Sequence, residues 1–335
     1  MTADEETRMP SRRSVLAALG GALAMPALRS AAAQDAFPNR PLRMIVPFPP
    51  GGSTDVLARV IGERLGAGLG QPVVIENRPG AAGNVGVDAI ARAEADGYTF
   101  GVSTIGPLSA HVTLYARLPF NPLTDFTYLA DIYEIPNVFV VNAQNPVRNM
   151  QEFLAWAKQR GAGKVSYGTP GIGTTAHLGT EFFARRAGLE LLHVPYRTGA
   201  VAVQDLIAGR IDVMFDNLPT IIGQIQGGQI RPLAVSTARR WPGLPEVPTM
   251  MESGIADFDV TSWSGMIAPK GLPEPIARRL TAELIKIGQD PAFRARFEQM
   301  GAVATMKGPE VLRARVDAEI PRWAEVVKAA GARVD

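Results

Sequence analysis

Short apolar runs alternate with helical segments along most of this chain, and that alternation constrains its fold more than any other feature. The first runs predict strands at Leu42–Val46, Val73–Ile75 and Tyr98–Val102. Apolar residues that recur every three or four positions over 56–65 predict a helix between the first two strands, and a second helix is predicted over Asn84–Ala93. Short loops joining strand, helix and strand favour a parallel sheet covered on both faces. The pattern therefore predicts an α/β fold.

A second set of the same kind is predicted to begin with a strand at Asn137–Val141. The segment after Met266–Ala268 is predicted to be mainly helical. Two similar sets joined near residue 137 favour two lobes around a cleft. The other predicted elements of the second set are helices Met150–Gln159, Thr175–Ala187 and Ala200–Ala208, and strands Val165–Tyr167, Leu191–Val194, Asp212–Phe215 and Leu233–Ser236.

Residues 1–33 are predicted to be a cleaved export signal rather than part of the fold. The pair Arg12-Arg13 precedes an apolar run, Val15–Leu28, and small residues follow at Ala31–Ala33. That order is typical of a secretory signal, and about 14 apolar residues are fewer than the roughly 20 that span a bilayer. The arginine pair favours the twin-arginine route, with a Sec signal as the alternative. We therefore expect a periplasmic protein, cleaved after Ala33.

Composition excludes several classes of protein. The 34 basic and 32 acidic residues nearly balance, so nucleic acid or an anionic membrane is not an expected partner. The chain has no cysteine, which excludes disulfides and thiolate metal sites. No segment after the leader offers about 18 uninterrupted apolar residues, so no membrane span is predicted. We expect a freely soluble mature chain, as a monomer.

Two glycine-rich loops are the main candidates for a functional site. The first spans 47–55 and the second 168–175, and each lies between a predicted strand and helix. Glycines let the backbone approach a ligand, and a helix N-terminus presents unpaired N–H groups and partial positive charge, which suits an anion. The alternative is a turn that caps its helix, with Ser53–Asp55 as capping residues. The candidate ligand-binding residues are Phe48, Pro50, Gly51, Gly52, Ser53 and Asp55 in the first loop, and Thr169, Gly171, Gly173, Thr174 and Thr175 in the second.

Further candidates lie at predicted strand ends. Asp216 could orient a ligand or a water molecule, or cap the following helix; Ser103 and Thr104 are open in the same way. Tyr196, with Arg197, could close over a cleft or form a surface turn. His177 follows the second loop, where capping or packing is the alternative to ligand binding. Trp263 could be a cleft, hinge or core residue.

The sequence contains no evident set of catalytic residues. Histidines 111, 177 and 193 are scattered along the chain, and none has a carboxylate or second histidine at metal-ligand spacing. The motifs of serine hydrolases, P-loop proteins and dinucleotide-binding proteins are all missing. We therefore expect a binding protein rather than an enzyme, with no metal and no cofactor.

The ordered motifs of the mature chain resemble those of the substrate-binding proteins of tripartite tricarboxylate transporters, the Bug family. The resemblance covers about Phe37 to Ala330. The motifs that carry it are 45–48 with Pro50-Gly51-Gly52 and Asp55, 70–81, Asp96–Thr99, Tyr167-Gly168 with Gly171 and Gly173-Thr174, His193–Tyr196, Val213–Asn217 and Pro245–Thr249. The chain departs from many relatives in reading Pro-Pro-Gly-Gly-Ser in the first loop, and Thr169-Pro170 and Ile172 in the second.

The resemblance implies the type II periplasmic binding protein fold: two doubly wound α/β domains that close on a ligand like a Venus flytrap. It implies domain 1 at 37–137 and 262–325, and domain 2 at 138–261 and 326–335. It also implies a small organic carboxylate held through backbone and water contacts, and delivery to the membrane permease subunits of a tripartite tricarboxylate transporter. The alternative is a periplasmic sensing module that signals to a receptor.

Overall fold

A long strand, Phe126–Asn142, runs through the middle of a mixed sheet in this computed structural model, which describes residues 37–334. The predicted export signal, residues 1–33, lies outside the described residues. The strands are β1 Leu42–Val46, β2 Val73–Asn77, β3 Thr99–Thr104, β4 Phe126–Asn142, β5 Ser166–Thr169, β6 Leu192–Pro195, β7 Val213–Asn217, β8 Ile230–Val235, β9 Thr261–Pro269 and β10 Val303–Lys307. The helices are α1 Ser53–Leu69, α2 Asn84–Ala91, α3 His111–Leu114, α4 Met150–Arg160, α5 Thr175–Ala187, α6 Gly199–Ile207, α7 Leu218–Gln226, α8 Glu274–Gln289, α9 Pro291–Gln299 and α10 Pro309–Ala330.

The two ends of β4 pair with different strands. Residues 126–136 pair antiparallel with β9 and β10, and residues 137–142 pair antiparallel with β7 and β8. Strand β1 pairs parallel with β2 and β3, and β5 pairs parallel with β6 and β7. We call β1, β2, β3, β9, β10 and β4 up to Pro136 the first strand set. The second strand set is β5 to β8 with β4 from Asn137.

The sheet differs from the sequence prediction around β4. This strand begins at Phe126 rather than Asn137, and β10 interrupts a region predicted to be mainly helical. The sheet is also mixed rather than wholly parallel, because β4, β9 and β10 run antiparallel to their partners. Polar residues hid the early part of β4: the carboxylates of Asp131 and Glu134 both pair with Arg315 of α10, so no clean apolar run marks the strand.

The core lies between the sheet and its helices, with aromatic residues at its centre. The ring of Phe139 in β4 lies 4.9 Å from those of Phe153 and Phe183, and 6.4 Å from that of Phe215. Burial of such rings and their tilted contacts stabilises the sheet against α4 and α5. The last helix, α10, packs against both β4 and α5. Between residues 37 and 334, no helix combines the length and apolar character needed to cross a membrane.

Candidate functional site

The two glycine loops meet at one pocket of about 820 Å³, a volume that includes its open mouth. Gly52 and Ser53 of the first loop and Gly173 and Thr174 of the second line it together. Both loops follow strands β1 and β5 at their carboxyl ends, where ligands bind in open α/β sheets. The fold therefore brings together the two segments that were predicted separately.

Four helix N-termini converge on this pocket. Their N-cap residues are Gly52 of α1, Thr174 of α5, Thr198 of α6 and Asn217 of α7, and all four line the pocket wall. Each terminus contributes unpaired backbone N–H groups and partial positive charge. The arrangement can hold an anion without a buried lysine or arginine beside it.

Asp55 fixes the conformation of the first loop through hydrogen bonds. Asp55 Oδ2 accepts a hydrogen bond from Gly51 N at 2.8 Å, and Oδ1 accepts one from Asn77 Nδ2 at 2.8 Å. The same Asn77 amide donates to Phe48 O at 2.9 Å. Burial opposes ionisation of Asp55, but its hydrogen bonds with Arg59, Gly51 N and Asn77 hold its pKa below the usual range. Asp55 thus fixes the loop and does not line the pocket.

The prediction that side chains of Ser53–Asp55 cap α1 was wrong. Gly52 occupies the N-cap position, and no side chain caps the first turn. The three polar residues already belong to the helix. Ser53 instead faces the pocket, where its Oγ accepts a hydrogen bond from Asn217 Nδ2 at 3.1 Å. This contact joins the N-terminal turn of α1 to the N-cap of α7 across the pocket.

The second loop is held by its own polar groups. Thr174 Oγ1 donates to Gly171 O at 2.8 Å and accepts from His177 N at 3.4 Å, so Thr174 caps α5. Gly173 N donates to His177 Nδ1 at 3.3 Å. Thr169 is fully buried, and its Oγ1 accepts from Gly171 N at 3.2 Å. These contacts fix the backbone of the second loop, and Gly173 and Thr174 of this loop line the pocket.

The three histidines gather around the second loop, although they are scattered in sequence. The rings of His177 and His193 lie 4.4 Å apart, and His193 Nε2 lies 2.7 Å from Thr169 Oγ1. His111 Nε2 lies 3.1 Å from Gly173 O. Burial lowers the pKa of each histidine to about 4, so all three are neutral at pH 7.

Neutrality decides the hydrogen bonding of His111. Its Nε2 can contact the carbonyl oxygen of Gly173 favourably only as a donor, so Nδ1 must accept. The atom of Asn84 placed 2.7 Å from Nδ1 is the acceptor Oδ1, while its donor Nδ2 is buried without a partner in the described region. Exchanging the two amide atoms of Asn84 places the donor Nδ2 against His111 Nδ1. Asn84 therefore donates to His111, which donates to Gly173.

Asp216 forms part of the pocket wall at the end of β7. Its side chain is buried, and Oδ1 accepts from Asn217 N at 2.7 Å. Its other oxygen, Oδ2, is buried without a hydrogen-bond partner among residues 37–334. Burial raises the pKa of Asp216 to about 7, and the hydrogen bond from Asn217 N opposes that rise. Gly199 of α6 lies so close that a methyl group there would overlap Oδ2.

The rest of the pocket wall contains both apolar and hydroxyl side chains. Trp263 and Ile135 supply apolar surface, and Arg197 contributes an exposed guanidinium. Arg197 and Trp263 are cleft candidates from the sequence, whereas the N-termini of α6 and α7 are not among the predicted site residues. Thr198-Gly199 and Asn217-Leu218-Pro219 are the N-cap signals that could have pointed to them. The lining residues outside the predicted set are Pro49, Thr54, Ala82, Ile105, Gly106, Ile135, Pro170, Ala176, Arg197, Thr198, Gly199, Asn217, Thr220, Ser262, Trp263 and Ser264.

The predicted residues divide into lining and supporting positions. Those in the pocket wall are Phe48, Gly52, Ser53, Thr104, Gly173, Thr174, Thr175 and Asp216. Those outside the pocket lining are Pro50, Gly51, Asp55, Ser103, Thr169, Gly171, His177 and Tyr196. Tyr196 is held away because its hydroxyl donates to Asp205 Oδ2 at 2.8 Å, and Ser103 is fully buried. In the described part of the chain, no three histidine, aspartate or glutamate side chains form a group that could hold a metal ion.

Comparison with known proteins agrees with this fold. Residues 57–332 match the family model described as the tripartite tricarboxylate transporter family receptor. The Rpa4515 protein of R. palustris, solved with adipate, is 37% identical, with a TM-score of 0.86 over 89% of this chain and 100% of its own. The periplasmic binding protein BugD is 37% identical, with a TM-score of 0.83 over 89% and 99% of the two chains. MatC from Rhodopseudomonas palustris, with bound malate, is 32% identical, with a TM-score of 0.81 over 87% and 100%. The fold is that of periplasmic binding proteins of this type.

Proposed function

This chain belongs to the tripartite tricarboxylate transporter receptor family, and on that premise we propose that it captures a small organic carboxylate in the periplasm and delivers it to membrane permease subunits of that transporter type. Adipate and malate, bound in two related structures, are both carboxylates. Export rests on the leader predicted from residues 1–33. The proposed role is capture and delivery, with no chemical change to the ligand.

The convergence of four helix N-termini on one pocket is the observation that carries this proposal. Their backbone N–H groups suit carboxylate oxygens, and the hydroxyls of Ser53 and Thr175 add donors beside them. We propose these donors as the ligand's main contacts, with the other predicted site residues acting directly or as supports of the loops. Asp55 and His177 belong to the supports, since their polar groups are engaged with loop backbone.

Ligand capture is proposed to close two domains, 37–137 with 262–325 and 138–261 with 326–335. The separate pairing of the first and second strand sets supports this proposed division, and strands β4 and β9 pass near the proposed boundary. A ligand that contacts α1 on one side and α5 on the other would stabilise the closed form. Hydrogen exchange with and without ligand tests this division: protection should rise in both loops and leave the core of each set unchanged.

The direct test of function is identification of the bound compound. The full chain is exported to the periplasm, purified, and examined by native mass spectrometry for a co-purified anion. Stripped protein is then screened by thermal shift against mono-, di- and tricarboxylates. At least one carboxylate should raise the melting temperature, with a dissociation constant in the micromolar range or below by calorimetry. If no carboxylate binds, the proposed function is wrong.

Delivery to a permease needs a separate measurement. Uptake of the radiolabelled ligand is compared in source cells with the gene intact, deleted and restored. Loss of uptake on deletion, with recovery on restoration, supports transport. Unchanged uptake, together with a ligand-dependent change in gene expression, would indicate a sensor instead.

A further inference from the structure

Two adjacent residues in the pocket wall present hydrogen-bond acceptors that the protein leaves without donors. They are Asp216 Oδ2 and Asn217 Oδ1, both buried and without a partner in the described part of the chain. The other polar atoms of these side chains are engaged, because Asp216 Oδ1 accepts from Asn217 N and Asn217 Nδ2 donates to Ser53 Oγ. These hydrogen bonds fix the orientation of both side chains, and their remaining oxygen atoms can still accept hydrogen bonds.

These acceptors lie in a pocket otherwise dominated by donors. The N-termini of α1, α5 and α6 supply backbone N–H groups, and hydroxyls surround them. While Asp216 is ionised, a ligand carboxylate satisfies the donors but offers nothing to Asp216 Oδ2, since both carboxylates are then acceptors only. A bare dicarboxylate would also bring negative charge toward a buried carboxyl group, which is unfavourable in a site of low dielectric constant.

From this juxtaposition we propose that Asp216, with Asn217 beside it, selects a carboxylate ligand that also carries a hydrogen-bond donor on a neighbouring carbon. A 2-hydroxy or 2-amino acid has this chemistry. The helix N-termini hold its carboxylate, and its hydroxyl or ammonium group donates to Asp216 Oδ2. The inference rests on the proposed function, because it concerns the same pocket, and it narrows the class of ligand.

Close packing around Asp216 supports a recognition role. Gly199 approaches Oδ2 so tightly that a side chain there would collide with it, and Thr220 also lies against Gly199. The carboxyl group is therefore confined to one position in the wall. Because the buried oxygen of ionised Asp216 lacks a donor, a ligand that supplies one gains a charge-assisted hydrogen bond, whereas an analogue lacking the donor leaves the oxygen unpaired.

Matched ligand pairs test the proposal by calorimetry on stripped protein. The probes are succinate against malate and aspartate, and glutarate against 2-hydroxyglutarate and glutamate. We expect at least one donor-bearing probe to bind about tenfold more tightly than its unsubstituted partner. In Asp216→Ala, that preference should fall to within about threefold. The hydroxy and amino probes distinguish the two possible donors.

An isosteric variant separates recognition from folding. Asp216→Asn keeps the size of the side chain, removes its charge and adds a donor, so it should bind succinate or glutarate more tightly than the natural chain. Asp212→Asn is the matched control: this carboxylate precedes β7 and accepts from Ser166 N at 2.8 Å, outside the pocket lining. The control should retain the natural preference. Melting temperatures verify the fold of all three variants.

Several outcomes overturn the inference. Equal affinity within every pair would do so, as would a tenfold preference that persists in folded Asp216→Ala. If Asp216→Ala does not fold, an unchanged ligand preference in Asp216→Asn would also overturn the inference. Absence of binding by every donor-bearing probe also rejects the inference. Binding of some other carboxylate in the wider screen would then leave the proposed function standing, whereas a screen without any carboxylate ligand removes both.

Discussion

His111 Nε2 donates a hydrogen bond to the carbonyl oxygen of Gly173 over 3.1 Å, which links the two sides of the pocket. His111 begins the short helix α3, beyond the end of β3 in the first strand set. Gly173 belongs to the loop that follows β5 in the second strand set. The second loop is thus held from across the pocket as well as by its own residues, and its position depends on a buried neutral imidazole.

Replacing His111 should accelerate ligand release. In His111→Ala the hydrogen bond to Gly173 is lost, so the second loop is less restrained and holds the ligand less firmly. We expect affinity for the identified carboxylate to fall about tenfold, mainly through a faster dissociation rate, which stopped-flow fluorescence or surface plasmon resonance measures. His111→Gln can still donate to Gly173 and should recover part of the loss. Equal dissociation rates in the natural chain and both variants would contradict this role.

Acid should destabilise the fold through the buried histidines. Burial lowers the pKa of His111 from 6.5 to about 4. Below pH 6.5 the unfolded chain binds a proton there, while the folded chain does so only near pH 4. The contribution of His111 is therefore present above pH 6.5 and is lost as pH falls toward 4, by about 3 kcal/mol at most. Urea unfolding at several pH values measures it.

A variant is needed to isolate this effect, because Asp216 titrates in the opposite sense. Burial raises its pKa from 3.8 to about 7, so between these values the folded chain binds the extra proton and gains stability as pH falls. The comparison is therefore between the natural chain and His111→Gln. The natural chain should lose more stability than the variant between pH 6.5 and 4. Parallel pH profiles would rule out a titrating His111.

Most of the order of strands and helices was predictable from sequence because most elements carry their own local period, whereas β10 and the short helix α3 were not predicted. The early part of β4 was not predicted either, since Asp131 and Glu134 both pair with Arg315, which lies far away in sequence. Such polar residues fit a buried strand only because a distant residue pairs with them. The sequence alone does not identify that partner. Sequence reasoning therefore misplaced the beginning of β4.

The candidate site was likewise predictable from the sequence only in part. Glycines at 51, 52, 171 and 173 marked the N-termini of α1 and α5 as candidate binding sites. The N-termini of α6 and α7 have no comparable glycine-rich loop to mark them. The contact between His111 and Gly173 spans 62 positions and has no local signature. Asp55 was predicted as a ligand-binding residue, but it lies in the first turn of α1 outside the pocket lining, and its burial and its bonds to loop backbone are properties of the folded chain.

Arg197 should favour ligands with a second negative charge. Its guanidinium is exposed, lines the pocket, and has no acidic partner in the described part of the chain. Exposed ion pairs contribute up to about 1 kcal/mol, so Arg197→Gln should weaken dicarboxylate binding by up to about fivefold and leave monocarboxylates unaffected. Added salt should reduce the difference.

Arg210→Gln is the matched control for Arg197. It pairs with Asp205 at 2.7 Å and does not line the pocket. Calorimetry of both variants with the same mono- and dicarboxylates measures the effect. An equal loss for both ligand classes would show that Arg197 supports the fold of the loop and does not read the second charge.

Gly173 and Gly171 offer a comparison that separates backbone strain from crowding in the second loop. Both have positive φ, +86° at Gly173 and +132° at Gly171, so alanine is strained at either position. A Cβ atom at Gly173 would lie 2.9 Å from the Leu114 side chain and 3.1 Å from His111 Nε2, whereas one at Gly171 would meet nothing within 4 Å. Crowding at Gly173 should push the loop away from His111, so we expect Gly173→Ala to lose affinity about tenfold more than Gly171→Ala. Calorimetry with the identified carboxylate measures both, with melting temperatures as the check on folding. Equal losses would mean that strain alone governs the loop and that its contact with His111 contributes nothing to capture.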